Sequence, residues 1–368
     1  MNAPLRVLII GSGVAGVEAA LALRALGDER VAVELVSDSL PSGAAPRAPL
    51  SPFAEQVPGP VGVGQLRDAG VDVRHGRVVL VRPDHRQVVL AAGEIHHYDR
   101  LIVATGAVAV QPIWKAALLA DAPVASRVVV VPLACAWALP AYEFALLRAR
   151  NGDAITVVTH EVRPLELFGA LASDAVGRLL YRAGVGFRGG VHALADALAT
   201  DAGEPVPAAE AAVLGVPRGR PPAGLPHDHD GFLPVDEHGR VDGVEHILAA
   251  GDATAFPIKD AGLAAQQADA AAAAVAADAG LAERPEPARR VLRGTLLTGD
   301  EPLYLRTELA PGSAPLPRPH GRVARRPLWS PPDRVVGRHL TPFVHGGHAR
   351  LVDLAPAPRG EPRLATPA

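Results

Sequence analysis

The sequence predicts an α/β protein whose first domain is a doubly wound parallel sheet. Three observations carry that prediction: a strand, glycine turn and helix at the start, a second βαβ pattern in mid-chain, and a late apolar strand ending in Gly-Asp. The chain has 368 residues, enough for two or three domains. Hydrophobic residues make up 49%, charged residues 20%, and the formal charge is −3, which argues against disorder and against a nucleic-acid-binding field. No nucleic-acid partner is expected.

Arg6 to Ile10 is a β-branched apolar run that stops at Gly11-Ser12-Gly13-Val14-Ala15-Gly16. An Ala/Leu-rich helical stretch, Val17 to Leu26, and a second strand, Val31 to Val36, follow. This is the context a dinucleotide fingerprint requires, and it predicts a Rossmann-like domain. Gly11 allows the tight turn, Gly13 lets the backbone approach a pyrophosphate, and Gly16 lets helix and strand pack closely. Val14 and Ala15 belong with them, because the helix N-terminus offers free N–H groups to the anion. At the end of the second strand, Ser37 or Asp38 could accept a hydrogen bond from a ribose hydroxyl. Asp38 equally suits a turn, since Ser37-Asp38-Ser39 leads into Pro41-Ser42-Gly43.

Two further pieces decide between dinucleotides. Tyr98-Asp99-Arg100-Leu101-Ile102-Val103-Ala104-Thr105-Gly106 follows strand-like segments at Val78 to Val81 and Gln87 to Leu90, and ends a buried strand at Ala104-Thr105-Gly106. His246-Ile247-Leu248-Ala249-Ala250-Gly251-Asp252 is another strand, ending in Gly251-Asp252. In this order the pieces resemble the two-dinucleotide-domain flavoproteins of the pyridine nucleotide-disulfide oxidoreductase superfamily. The nearest branch holds type II NADH dehydrogenases and sulfide:quinone reductases. The resemblance implies FAD as cofactor and a ribitol-binding role for Asp252, for which a carboxylate is apt because it takes a charge-assisted hydrogen bond. It also implies that the helix after Asp260, an expected N-cap, points its first turn, with Gly262 and Leu263, at the flavin pyrimidine edge. Negative charge that develops there on reduction would be stabilised by helix N–H groups and Lys259. Lys259 reads as readily as a solvated loop residue. Ala264, Ala265 and Ala268 read as close-packing positions.

The second βαβ pattern comprises Arg127 to Val131, Ala141 to Arg150 and Ala154 to Thr159. The turn after its first strand is Pro132-Leu133-Ala134-Cys135-Ala136-Trp137-Ala138-Leu139-Pro140, without a glycine. Side chains would fill the pyrophosphate's space and two prolines remove donors, so NAD(P)H binding is doubtful. The resemblance to the sulfur-oxidising branch extends to a proline in this turn, but those relatives use paired cysteines and this chain has one, Cys135. Cys135 reads as a buried hydrophobe rather than a reactive thiol, and a lone cysteine supports no disulfide or thiolate metal cluster. A reducing, intracellular setting is expected. Glu143, His160 and Glu166 are candidate bases that no spacing distinguishes.

Ala193 to Asp230 shows little periodicity and reads as an eroded outer layer of the second domain. His227-Asp228-His229, His96-His97 and His345 with His348 read as solvated groups, and no metal is expected. From Glu283 onward stand fourteen arginines and eight acidic residues. Arg289 to Gly299 and Leu303 to Arg306 predict paired strands in a C-terminal cap. Arg325 to Pro332 would line the site or hold the tail, with Trp329 in a packing role. Repeated prolines after Pro311 argue against an amphipathic anchor helix, although a basic patch could touch anionic lipid. No signal peptide is expected at the start, and no apolar run is long enough to span a bilayer.

The expected organisation is an FAD-binding domain of residues 1–110 and 228–282, a nicotinamide-domain-like insertion at 111–227, a cap at 283–354 and a flexible tail at 355–368. The expected function is an FAD-dependent oxidoreductase passing electrons from a small reductant or nicotinamide to a quinone or other diffusible acceptor. It would be cytoplasmic, or peripheral at the inner face of the membrane. The alternatives are an NAD(P)H:acceptor oxidoreductase like the type II NADH dehydrogenases and a non-catalytic flavin-binding docking protein.

Overall fold

A computed structural model of the protein describes residues 3–40, 61–110, 127–132, 137–191, 210–283, 290–309, 321–347 and 351. Its first sheet is built from apolar runs. β1 (Leu5–Ile10) leads through the glycine turn into α1 (Val14–Gly27), and β2 (Val31–Ser37), α2 (Val63–Asp68) and β3 (Val71–His75) follow. An antiparallel meander, β4 (Val78–Arg82), β5 (Gln87–Leu90) and β6 (Ile95–His97), precedes β7 (Arg100–Val103) and β8 (Ala107–Val110).

The second unit begins with β9 (Arg127–Val131) and α3 (Leu139–Arg150), then β10 (Ile155–Thr159), α4 (Ala170–Arg182), β11 (Gly186–Arg188) and β12 (Glu210–Val213). Its parallel sheet has the order β11-β10-β9-β12. Every residue of β9 is buried, as expected of a strand covered on both faces. β12, and β13 (Val216–Gly219) after it, lie where the sequence shows little periodicity. Single alanines and prolines hid them, but β12 pairs with β9, and β13 pairs antiparallel with β8, joining the borders of the two units.

The chain then returns to the first sheet through β14 (Ile247–Ala249) and α5 (Ala261–Asp278). That sheet reads β14-β7-β1-β2-β3, all parallel. Strand order reverses on either side of β1, which opens a crevice at the carboxyl ends of β1 and β7. Helix α1 packs on α5 through small residues. Ala19, Ala20, Ala268, Ala271 and Ala272 are fully buried there, so the two backbones approach closely. The expected packing roles of Ala264, Ala265 and Ala268 hold in this sense.

β15 (Val291–Leu296) and β16 (Leu303–Glu308) form the expected antiparallel pair, with Val291 opposite Glu308, and β17 (Arg322–Ala324) adds a third strand. A short helix, α6 (Leu340–Val344), follows. Trp329 packs edge-on against Tyr304 and donates to the Asp333 carbonyl, as a packing residue.

Polar clamps fix this cap to the rest. Gln266 of α5 exchanges two hydrogen bonds with the backbone of Val291, at 2.8 and 2.9 Å. Glu143 of α3 accepts from Arg334 and from the Leu297 amide. Glu18 of α1 accepts from the amides of His339 and Leu340 at 2.9 and 2.6 Å, capping α6, while Asp269 pairs with Arg338 and His339. Ligand atoms of Glu18, Asp269 and His339 lie within 4.8 Å of one another, but these hydrogen bonds and ion pairs already occupy the two carboxylates.

Candidate functional site

The glycine turn divides its labour among three positions. Gly11 has φ +107°, and a Cβ there would lie 2.2 Å from the Ala104 carbonyl oxygen, so the turn must press against the end of β7. A Cβ on Gly16 would lie 1.9 Å from the Gly11 oxygen, which ties α1 to the turn. A Cβ on Gly13 would meet nothing within 4 Å. Gly13 therefore faces open space, and that space is a cleft of about 940 Å³ at the strand-order reversal.

Most of the expected site residues converge on this cleft. Gly11, Gly13, Val14 and Ala15 line it from the turn, Ser37 and Asp38 from the end of β2, and Ala104, Thr105 and Gly106 from the end of β7. Asp252 and Lys259 line it from beyond β14. Four others stand behind its wall. Gly16 closes the turn, and Gly251 (φ +73°) gives its amide to Gln267 and sits against Ala15 and Ala264. Leu263 is fully buried, its amide taken at 2.9 Å by Asp260, the N-cap of α5. The Asp260 carboxylate also draws on the Gly262 amide. The first turn of α5 is thus partly capped from within, and the expectation that Gly262 and Leu263 meet a ligand does not match this geometry.

Ser37 and Asp38 now separate. The Ser37 hydroxyl is engaged with Ser12 and the Ser39 carbonyl, whereas Asp38 is exposed at the cleft. Thr105 Oγ1 is buried and has no hydrogen-bond partner among the described residues. Lys259 donates to the Thr254 carbonyl and holds its ammonium 3.6 Å from the centre of the Phe232 ring, so it is a packed group and not a solvated one.

Charges gather where Asp252, Lys259 and Asp260 meet. Burial pushes the Asp252 carboxyl up to about 6, with Lys259 pulling the other way. Burial likewise draws Lys259 down to about 8 against the pull of Asp252 and Asp228. Asp260 rises to about 7, again through burial, despite the hydrogen bond from Leu263. A carboxylate short of solvent gains most from a hydroxyl donor, and Asp252 offers the cleft such an acceptor.

The cap and the second unit complete the wall. Trp137, Leu139 and Pro140 enter from the start of α3, Arg293, Gly294 and Thr295 from β15, and Arg334, Val335 and Leu340 from the C-terminal segment. Sequence reading missed the cap residues. The signal available was the alternation of Arg293 and Thr295 about Gly294, which places both on one face of a strand. Arg325 to Pro332 does not line the cleft. Cys135, Leu133, Ala134, Ala136 and His348 lie outside the described residues, as do Ala193 to Ala209 and the expected tail.

None of the three candidate bases lines the cleft. Glu166 accepts from the amides of Val162 and Arg163, and Glu143 is spent on the cap. His160 precedes Glu161, a buried residue that accepts from the Tyr142 hydroxyl at 2.6 Å. Burial raises the Glu161 carboxyl to about 7, against that hydrogen bond. A carboxyl raised on folding stabilises the native state fully below its unfolded value of 4.5, and that contribution is lost as pH rises through about 7. Glu161→Gln, which keeps an acceptor for Tyr142, is expected to flatten the fall in unfolding temperature between about pH 5 and pH 8. Calorimetry across that window checks it, and a slope equal to the parent's would acquit Glu161. Of the histidines, His96 pairs with Glu34 and His345 with Asp333, while Asp228 brackets its own turn through the amides of Asp230 and Phe232.

A parallel sheet with a ligand-sized crevice at its switch point, a second parallel sheet and a strand-rich cap define the class by its fold, a two-unit dinucleotide-binding architecture. Residues 5–124 match the family described as pyridine nucleotide-disulphide oxidoreductase. That match covers 120 of the 368 residues. Ferroptosis suppressor protein 1 of Taeniopygia guttata is 34% identical over 107 residues, a match that spans 29% of this chain and 28% of that protein. Among solved structures, the sulfide:quinone oxidoreductase of Aquifex aeolicus superposes with a TM-score of 0.71 over 87% of each chain at 18% identity. A ferredoxin reductase of Rhodopseudomonas palustris gives 0.60 over 83% of each at 20% identity. At these identities the two structures speak for the fold. No helix among the described residues is long and apolar enough to cross a membrane.

Proposed function

We propose that the chain is an FAD-dependent oxidoreductase that passes electrons from a small reductant through the flavin to a quinone or another diffusible acceptor. The observation that carries this reading is one cleft lined by Gly13 with its open face, by Thr105, whose buried hydroxyl has no partner among the described residues, and by Asp252 with its desolvated carboxyl. When bound, the isoalloxazine supplies the two-electron chemistry, and the protein supplies binding and electrostatics.

In this assignment the first amides of α1 receive the pyrophosphate, and the missing Cβ of Gly13 gives it room. Asp38 takes the adenosine ribose, and Asp252 accepts from a ribitol hydroxyl. Lys259 would bias the pyrimidine edge toward negative charge. The cap covers the cleft and keeps water from it. Residues 1–110 with 228–282 form the FAD-binding domain, 111–227 the insertion and 283–354 the cap.

The quinone acceptor draws support from the name of the Aquifex enzyme that shares the fold. The single cysteine and the glycine-free turn argue for a donor other than a dithiol or a tightly held nicotinamide. The test is reconstitution with FAD followed by an anaerobic screen of donors, including sulfide, thiols, NADH and NADPH. We expect a yellow protein that one of the small reductants bleaches and a soluble quinone recolours. A colourless product after reconstitution would reject the flavin, and rapid bleaching by micromolar NADH would transfer the donor role to nicotinamide.

A further inference from the structure

One buried acid takes no part in the chemistry of the cleft. Glu18 is fully buried on α1, one turn behind Val14 and Ala15, which line the cleft. Its two oxygens accept the amides of His339 and Leu340, at 2.9 and 2.6 Å. Gly337 makes room for it, since a Cβ there would lie 2.4 Å from Glu18 Oε2. On the adjoining helix α5, Asp269 pairs with Arg338 Nε at 2.8 Å and with His339 Nε2 at 3.4 Å. Leu340, whose amide Glu18 holds, lines the cleft itself, as does Val335.

The hold on this segment is polar more than apolar. Helix α6 has five residues and buries only Leu340 and Thr341, and the rest of the attachment runs through the two carboxylates. An element with so little buried apolar surface opens at a lower free energy than the core beneath it. We propose that residues 335–344 form a strap that lifts from Glu18 and Asp269 to let the dinucleotide enter or leave the cleft, with Glu18 as its latch. This rests on the flavin reading and adds to it the route by which the cofactor exchanges.

Such a latch answers to pH. Burial pushes the Glu18 carboxyl up to about 6, against the pull of the His339 and Leu340 amides and of the His339 charge, and Asp269 adds to the rise. Lifted into water, the acid returns to its ordinary 4.5. The docked strap therefore holds the proton more firmly. Docking is strongest below 4.5 and weakens by up to about thirtyfold as pH rises through about 6. The charged groups that face Glu18 are His339 from the strap and Asp269 from α5, with Arg338 paired to Asp269. Within α1 the only other charged residue, Arg24, is bound to the carbonyls of Asp28 and Val31. A protonated His339 attracts both acids, so its titration has the same sign. Against its burial, His339 and Arg338 hold Asp269 below the usual carboxylate range, outside this window. Asp252 and Asp260, raised to about 6 and about 7, titrate in the same range across the cleft, so the strap's own amides are the better readout.

The experiment measures hydrogen-exchange protection factors for the 335–344 amides in FAD-loaded protein and in the apoprotein, with flavin content determined first. FAD release after dilution is followed in parallel by flavin fluorescence. In the parent, strap protection is expected to fall about five- to tenfold from pH 5 to pH 7, and release to quicken with it. Glu18→Gln keeps an acceptor for the two amides and loses the titration, so it is expected to flatten the strap's pH dependence. Arg338→Met, at a side chain 54% exposed, is expected to lower strap protection and speed release about two- to fivefold at each pH, with an unfolding temperature near the parent's. A strap as protected as the core of α1 at every pH overturns the proposal, as does FAD release equal to the parent's in both variants. A parent that holds no flavin fails the flavin reading instead, and the exchange data, which need no flavin, still decide whether the strap opens through Glu18.

Discussion

Gly13→Glu is expected to fold as the parent does and to lose its cofactor. A side chain at Gly13 meets no protein atom within 4 Å, so the fold has no reason to resist it. It enters the space assigned to the pyrophosphate and brings a like charge, a juxtaposition that costs several kcal/mol, or at least about a hundredfold in FAD affinity. Gly16→Ala makes the contrast. Its Cβ would fall 1.9 Å from the Gly11 oxygen, and we expect a loss of about 1–3 kcal/mol or more in stability whether or not flavin is present. Thermal unfolding of the apo forms and flavin content after gel filtration separate the two effects. Should Gly13→Glu keep its yellow colour as firmly as the parent, the cleft would not be the flavin site.

Glu143→Ala is expected to cost about 3–5 kcal/mol in stability, because it breaks a buried ion pair and leaves one partner behind. The Glu143 side chain is fully buried and Arg334 is 13% exposed, so removing the acid strands a guanidinium away from water. The Leu297 amide loses its acceptor at the same time. Burial pushes the Glu143 carboxyl up, while Arg334 opposes this, as expected of a desolvated acid held by one cation. A double-mutant cycle with Arg334→Met, followed by chemical denaturation, isolates the pair. A coupling below about 1 kcal/mol would put it in the range of exposed surface pairs and remove its claim to hold the cap.

How much was legible beforehand follows from where the information lies. The first sheet announces itself because parallel strands are continuous apolar runs and the Gly11 to Gly16 turn has steric reasons that sequence spacing records. In that turn Gly11 and Gly16 are crowded and Gly13 is open, which is the steric pattern the spacing records. β12 was hidden because Glu210, Ala211, Ala212 and Val213 together have no strong β preference, and pairing with β9 makes the strand. The C-terminal wall was hidden for another reason. Arg334 and Thr295 reach the cleft from opposite ends of the cap, and only the tertiary contacts through Glu143 bring them to it. The first turn of α5 misled in the opposite way, because the cap that starts a helix well also spends the amides a ligand would need.

The anchoring of residues 334 to 340 by acids from three separate helices decides how one wall of the cleft is held. Val335 and Leu340 line a crevice whose other walls come from the glycine turn, the ends of β2 and β7, and the approach to α5. The firmness of that wall rests on Glu18, Glu143 and Asp269, carboxylates that hold the segment from behind.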